Sequence, residues 1–281
     1  MEIIGSLILS VIALTLLGLF LWRQRDHQAD RAETARLISF QPVEPPEFSY
    51  DMVADLPEPA RRFFRFAIKE GTPLYTVAQL EMTGQFGMGD KTEPRYMSMR
   101  ARQTLGAPEG FVWAMTAGSA LSHISGSDTG RWTRFWLARL LPVARSGGTL
   151  DHQRSAFGRY IAEALFWTPG ALLPAPHITW TEDTHSSAHV TLRHRDMQQT
   201  IKLKVDPLGR PVEVSFLRWS NANPEKTFRL QNFGGYLSNF QTFQGFHLPT
   251  HIEAGNHFQS DDYFPFFVAD ITDIRFPHLT P

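Results

Sequence analysis

The sequence contains no cysteine. That removes disulfides, thiolate metal sites, a cysteine nucleophile and a lipid-modified N-terminal cysteine. It is compatible with an oxidising compartment without establishing one. An excess of charge is missing too: 27 Lys and Arg stand against 28 Asp and Glu, a formal net charge of −1. No global field then draws the chain to nucleic acid or to an anionic surface. The short motifs of common chemistries are also lacking. There is no Gly-x-Ser-x-Gly elbow, no P-loop and no helical His-Glu-x-x-His. Gly84-Gln-Phe-Gly87-Met-Gly89 is glycine-rich, but in the wrong order for a dinucleotide fingerprint. No cofactor is implied. Seven of the 11 histidines fall at His177, His185, His189, His194, His247, His251 and His257, and no two share the two-residue spacing of a strand-borne zinc pair. No metal site is expected.

What is there begins with a long apolar run, Ile3 to Trp22. About 20 residues at 1.5 Å each match the hydrocarbon thickness of a bilayer. A core helix of that length would carry a polar stripe, and this one has none. Trp22 sits where an interfacial aromatic belongs. A cleaved signal peptide would want a basic n-region, a shorter apolar segment and a small-x-small site; here only Met1-Glu2 precedes the run. Residues 1–22 are therefore read as a single-pass transmembrane anchor, with the bilayer as a partner. Arg23, Arg25, Arg31 and Arg36 all follow the span, which by the positive-inside rule places the remainder in the cytoplasm.

Residues 23–54 read as a stalk. Its first part is polar and able to continue the helix; Pro42, Pro45 and Pro46 then favour extended chain. A domain over 55–281 follows, large enough for a sizeable core. Asp55 with Pro57 and Glu58 looks like a helix start, and Ala60, Phe63, Phe64, Ala67 and Ile68 keep helical spacing. Arg61, Arg62, Arg65 and Lys69 take the other face, which solvation explains more simply than lipid contact.

From Val77 the period becomes two. Strands are expected at Leu80–Gly84, Tyr96–Arg102, Phe111–Met115 and Leu121–Ile124. Helices are expected over Arg131–Ala144 and Ser155–Trp167. Arg131-Trp132-Thr-Arg134-Phe135-Trp136 could suit single-stranded nucleic acid; the neutral charge balance and the anchor argue instead for a partly buried interfacial helix. Alternation then resumes at Ile178–Glu182, Ala188–His194, Gln198–Val205, Pro211–Arg218, Thr227–Phe233, Leu237–Phe243, Thr250–Ala254 and Phe264–Phe276. Asp206-Pro-Leu-Gly209 is a hairpin turn by composition. Strands in series without intervening helices give an α+β class with a large antiparallel sheet rather than a βαβ fold.

Several blocks carry a resemblance: Leu56-Pro-Glu-Pro-Ala-Arg61-Arg62-Phe, Phe111-Val-Trp113, Leu141-Pro142-Val143-Ala144, Arg159-Tyr160-Ile161-Ala162-Glu163-Ala164, Ala171-Leu172-Leu173-Pro174 and Gly245-Phe-His-Leu248-Pro249-Thr250. Together they resemble an uncharacterised bacterial family with a domain of unknown function and an N-terminal anchor in the inner (cell) membrane. Arg-Tyr-x-Ala-Glu-Ala is the most specific block. No catalytic residue carries over from it. The layout is also similar to bacterial lipoprotein-localisation proteins. That likeness implies a half-barrel: a curved antiparallel sheet packed on a few helices around an apolar hollow. It implies a site outside the cytoplasm, against the charge rule, and both sides stay open.

Arg159 and Glu163, at i and i+4, are a natural ion pair. They are the candidate catalytic residues, Glu163 as acid or base and Arg159 as its partner, although a purely structural pair explains them as well. Aromatic and Met-rich segments supply candidate ligand-binding residues: Met99, Trp113, Met115, Tyr160 and Trp167, with Met82, Phe86 and Met97 beside them. The first reading is a membrane-anchored binding module for a lipid or other hydrophobic ligand. The alternatives are an enzyme on a hydrophobic substrate and a tethered scaffold. A solid core has the same composition as a hollow, so composition alone does not choose between them.

Overall fold

Side chains that alternate in pairs need two different surroundings, and the sheet supplies them. The structure, a computed structural model, describes residues 2–119 and 122–278. The N-terminal helix α1 (Glu2–Ile38) is followed by the short amphipathic α2 (Glu58–Ala67). Six strands come next: β1 (Val77–Met88), β2 (Arg95–Gly106), β3 (Gly110–Ala117), β4 (Ile124–Thr129), β5 (Trp132–Leu137) and β6 (Leu141–Gly147). After α3 (Leu150–Trp167) come β7 (Ile178–Thr184), β8 (Ser187–His194), β9 (Met197–Val205), β10 (Pro211–Ser220), β11 (Arg229–Phe243), β12 (Phe246–Asn256) and β13 (Phe264–Arg275).

The thirteen strands of the described residues form one antiparallel sheet in the order β6-β5-β4-β3-β2-β1-β13-β12-β11-β10-β9-β8-β7. Neighbours in space are neighbours in sequence except at one seam, where β1 pairs with β13. The two edge strands, β6 and β7, are consecutive in the chain, and α3 joins them across the concave side of the curved sheet. This is the α+β half-barrel on a few helices that the strand series and the resemblance implied.

Local chemistry sets the helices. Thr149 caps α3, its Oγ1 accepting from the His152 amide at 3.2 Å. Phe157, Ile161, Ala164 and Leu165 on α3 are buried against the sheet. Gly158 lets the helix approach β10: a Cβ there would sit 2.8 Å from the Phe216 ring. On α2, Phe63 and Phe64 pack with Trp180 of β7, and Ile68 bridges to Phe246 beside the β11–β12 turn. That turn, the β9–β10 turn at Gly209 and α2 thus close one end of the half-barrel.

α1 is unbroken, because nothing in its sequence breaks a helix. Side chains 3–18 are all exposed. Past Trp22 the helix lies along the convex face of the sheet. Asp26 is 6 % exposed and accepts from Arg145 Nη1 and Nη2 at 2.7 and 2.9 Å and from the Trp136 indole at 2.9 Å. Asp30 accepts from Ser127 Oγ at 2.7 Å, and Glu33 pairs with Arg36 at 2.7 Å. Leu37 is fully buried near Gly106 and Gly110. Residues 23–38 therefore form a docked helix, held by an acidic stripe on basic and aromatic strands.

Three expectations need correction. Residues 131–144 are not a helix: Trp132–Leu137 and the first half of β6 form a hairpin, turned by Ala138 and Arg139 at φ 49° and 63°. The period there is two, with Trp132, Arg134 and Trp136 toward α1 and Phe135 and Leu137 toward the concave side. Asp55 is not the cap of α2; Pro57 takes that position and makes no side-chain cap. The strands expected at 227–233 and 237–243 are one continuous strand, because Gly234 and Gly235 stay in register with both neighbours. The turn at Asp206–Gly209 is as expected, with Asp206 Oδ1 accepting from Leu208 and Arg210 amides at 2.8 and 3.0 Å. Of the strand expected at Leu121–Ile124, Leu121 lies outside the described residues, and β4 begins at Ile124.

Candidate functional site

Strand alternation puts a row of large apolar side chains on the concave side. Phe86 and Met97 face each other across β1 and β2, Trp113 and Met115 follow on β3, and Phe216 and Phe233 pair across β10 and β11. α3 crosses over only part of this surface. Between helix and strands is a hollow of about 570 Å³, walled by these residues together with Ala162, Phe166 and Trp167 of α3. That volume is in the range that holds small-molecule ligands. Its wall includes Met88 at the end of β1 and Val143 in β6, which are 44 % and 52 % exposed. The hollow therefore opens at the end of the sheet opposite α2, on the side of the β1–β2 and β5–β6 turns.

One polar cluster interrupts the apolar wall. Arg159 of α3 donates through Nε to Glu163 Oε1 at 2.7 Å and through Nη1 to Asp128 Oδ2 at 2.7 Å. Gln103 of β2 donates to the other Glu163 oxygen at 2.7 Å, and Thr133 donates to the other Asp128 oxygen at 2.5 Å. The guanidinium also rests 4.5 Å from the Phe111 ring centre and 5.2 Å from that of Trp113. Burial pulls the Arg159 pKa down, but the Glu163 and Asp128 carboxylates outweigh it and hold it above the ordinary value. With all four carboxylate oxygens engaged by fixed donors, the cluster orients α3 against β2 and β4.

A second cation is treated differently. Arg218 continues the inward row Val214, Phe216 on β10, so its side chain enters the hollow. Its guanidinium sits 4.9 Å from the Phe233 ring centre. No described carboxylate lies within 4 Å of it, and its buried Nε has no hydrogen-bond partner among the described residues. Burial first, and the nearby Arg159 second, bring its pKa down to about 10, so it stays charged at neutral pH.

Of the residues expected at a site, Arg159, Glu163, Trp113, Met115 and Trp167 line the hollow, as do Phe86 and Met97. Met82, Met99 and Tyr160 are buried in the solid core; Tyr160 packs on Phe111 and Phe157. Asp128, Gln103 and Arg218 were missed by the sequence reading. For Arg218 the signal existed, since it falls on the apolar register of a strand whose other inward residues are Val and Phe. Asp128 gave none, because Ile-Ser-Gly-Ser-Asp-Thr has no apolar alternation.

The chain belongs to the family of unknown function DUF6544, whose model matches residues 46–269. No curated protein matches it. Among solved structures, it is similar to a LolA superfamily protein from Nitrosomonas europaea: 14 % identity, 79 % of this chain and 93 % of that one covered, TM-score 0.43. It is also similar to a domain described as an outer membrane lipoprotein-sorting protein from Vibrio parahaemolyticus, at 11 % identity, 71 % and 85 % coverage and TM-score 0.35. A DUF1329 family protein from Desulfovibrio piger has 11 % identity, 81 % and 91 % coverage and TM-score 0.38. At these values the likeness is one of outline.

Proposed function

We propose that this chain is a membrane-tethered binding module for a lipid or other hydrophobic ligand, held in the hollow between α3 and the sheet. The observation that carries the reading is the wall itself: about 570 Å³ lined by Phe, Trp and Met side chains and open at one end. Apolar surfaces with no atoms opposite them forgo dispersion contacts that a hydrophobic occupant restores. A solid core, which the scaffold reading needs, would have filled this space.

The tether is supported by α1. Its first part is long and apolar enough to cross a bilayer, and the protein covers none of side chains 3–18. At the end of that run Trp22 lies edge-on to Trp136 at 5.6 Å, and Arg23 donates to the Arg139 carbonyl at 2.6 Å. The β5–β6 turn therefore sits where the helix leaves the domain, and it exposes Leu140, Leu141 and Val143. Val143 also lines the hollow, so its opening faces the surface that α1 would enter.

The test is saturable binding of a fluorescent long-chain probe by the full chain in phosphatidylcholine nanodiscs, with bare nanodiscs subtracted. Ala162→Phe and Ala254→Phe place rings into the hollow and are expected to abolish it while leaving the fold intact. No saturable signal from the natural chain would overturn the reading, as would equal binding by both filled variants.

A further inference from the structure

We propose that Arg218 is the head-group site of the hollow, binding the anionic oxygens of a single-chain amphiphile whose tail lies along the Phe and Trp wall. This rests on the binding reading above and specifies its ligand class.

Three side chains lining the hollow hold buried nitrogen donors without acceptors: Arg218 at Nε, Trp113 at Nε1 and Trp167 at Nε1. Buried polar groups are normally paired, and leaving one unpaired is costly. Every unpaired buried polar atom on the wall, among the described residues, is a donor. A complementary occupant must therefore bring acceptors.

The formal charges on the wall balance, Asp128 and Glu163 against Arg159 and Arg218, so it is the unengaged guanidinium of Arg218 and not the net charge that points to an anion. Asp128 and Glu163 are both spent on Arg159, so that cluster carries one net negative charge. Arg218 offsets this charge only from a distance. Long-range attraction does not satisfy directional N–H donors, and no carboxylate oxygen of the described residues reaches the guanidinium. A planar fork in an apolar wall fits a carboxylate or a phosphate in bidentate fashion. The ring of Phe233 stacked on the guanidinium holds that fork in place while leaving its edge for a ligand.

The experiment compares dodecanoate, monododecyl phosphate and dodecanol on the full chain in phosphatidylcholine nanodiscs, read by displacement of the long-chain probe. The expected result is that at least one anion binds about tenfold or more tightly than the alcohol. Preference for dodecanoate assigns a carboxylate head, and preference for the phosphate ester assigns a phosphate. Arg218→Met is expected to abolish the preference, that anion and the alcohol then binding alike. Arg218→Gln should do the same, so the result does not depend on one variant folding. Because the cation is desolvated and unpaired, Arg218→Met should also raise the melting temperature of the unliganded protein. Equal binding of acid, ester and alcohol by the natural chain would overturn the head-group assignment and leave the hydrophobic site standing. So would anion preference that survives both variants. Binding of none of the three would overturn both.

Discussion

Asp128 of β4 and Arg159 of α3 meet at 2.7 Å inside the half-barrel, and Glu163 meets the same guanidinium at 2.7 Å from one turn further along the helix. The crossing helix is thereby tied to the sheet by a cation between two partly buried anions. Removing the cation leaves two carboxylates facing each other in an apolar wall. Arg159→Met is expected to lower the unfolding free energy by about 3–5 kcal/mol. Glu163→Gln should cost clearly less, since Asp128 still faces the guanidinium. Denaturant unfolding followed by near-ultraviolet circular dichroism measures both. The opposite ranking would mean that apolar packing alone seats α3.

Asp26 holds the docked half of α1 through Arg145, Arg134 and Trp136. Asp26→Ala leaves two guanidinium groups and an indole N–H beneath the helix without their acceptor. Loss of about 3 kcal/mol of docking free energy is expected. Hydrogen exchange of amides 27–38 in the full chain should speed up, with the strands unaffected. Unchanged protection would mean that Leu37 and the remaining contacts are sufficient.

His251 on β12 lies between Asp270 of β13, at 2.7 Å, and Glu253 of its own strand, at 3.4 Å. The hydrogen bond to Asp270 leads in raising its pKa above 6.5. Its charged form is favoured in the folded protein. The stabilisation is thus complete below the unfolded value and is lost as pH rises through the raised folded value. His251→Gln should therefore destabilise the protein more at about pH 5.5 than at about pH 8.5, by on the order of 0.5 kcal/mol. Melting curves at the two pH values check this, and a constant difference would refute it.

Leu140 and Leu141 are exposed in the β5–β6 turn beside the opening of the hollow and the end of the apolar run, and neither lines the hollow. Replacing both by Ser should slow uptake of a long-chain probe from vesicles severalfold, with equilibrium affinity nearly unchanged. Stopped-flow transfer separates the two quantities. A change in affinity with no change in rate would show that the hairpin belongs to the site rather than to its entrance.

Much of this was legible in the residues. The apolar run, the helical spacing at Phe63 and Phe64, and the alternation from Ile178 onward each follow from local periodicity, and the class of the sheet, large, curved and antiparallel, is as expected. The β5–β6 hairpin was not legible as such because Trp, Phe and Arg occur in both interfacial helices and strands, and its tight turn has no Gly or Pro to mark it. The docking of residues 23–38 was hidden by its own chemistry. Asp26, Asp30 and Glu33 form a stripe that normally means a solvated face, and only side chains of β4, β5 and β6, among them Arg134 and Arg145 more than a hundred residues away in sequence, make it an interior one. The hollow is the same kind of problem. Met99 and Trp113 have equal claims from composition, and only the path of α3 decides which faces open space.

The continuity of α1 has a consequence for how the molecule is oriented. A flexible linker gives a domain a reach, with a local concentration that depends on linker length. A helix seated on the sheet gives it a height and a heading instead. From Arg23 to Ile38 the axis rises about 24 Å. Where the run from Ile3 to Trp22 is fixed in a bilayer, the opening of the hollow keeps one bearing toward the surface. Inserting a single residue before Arg23 would not lengthen a leash; it would swing the whole domain by about 100° around the helix axis.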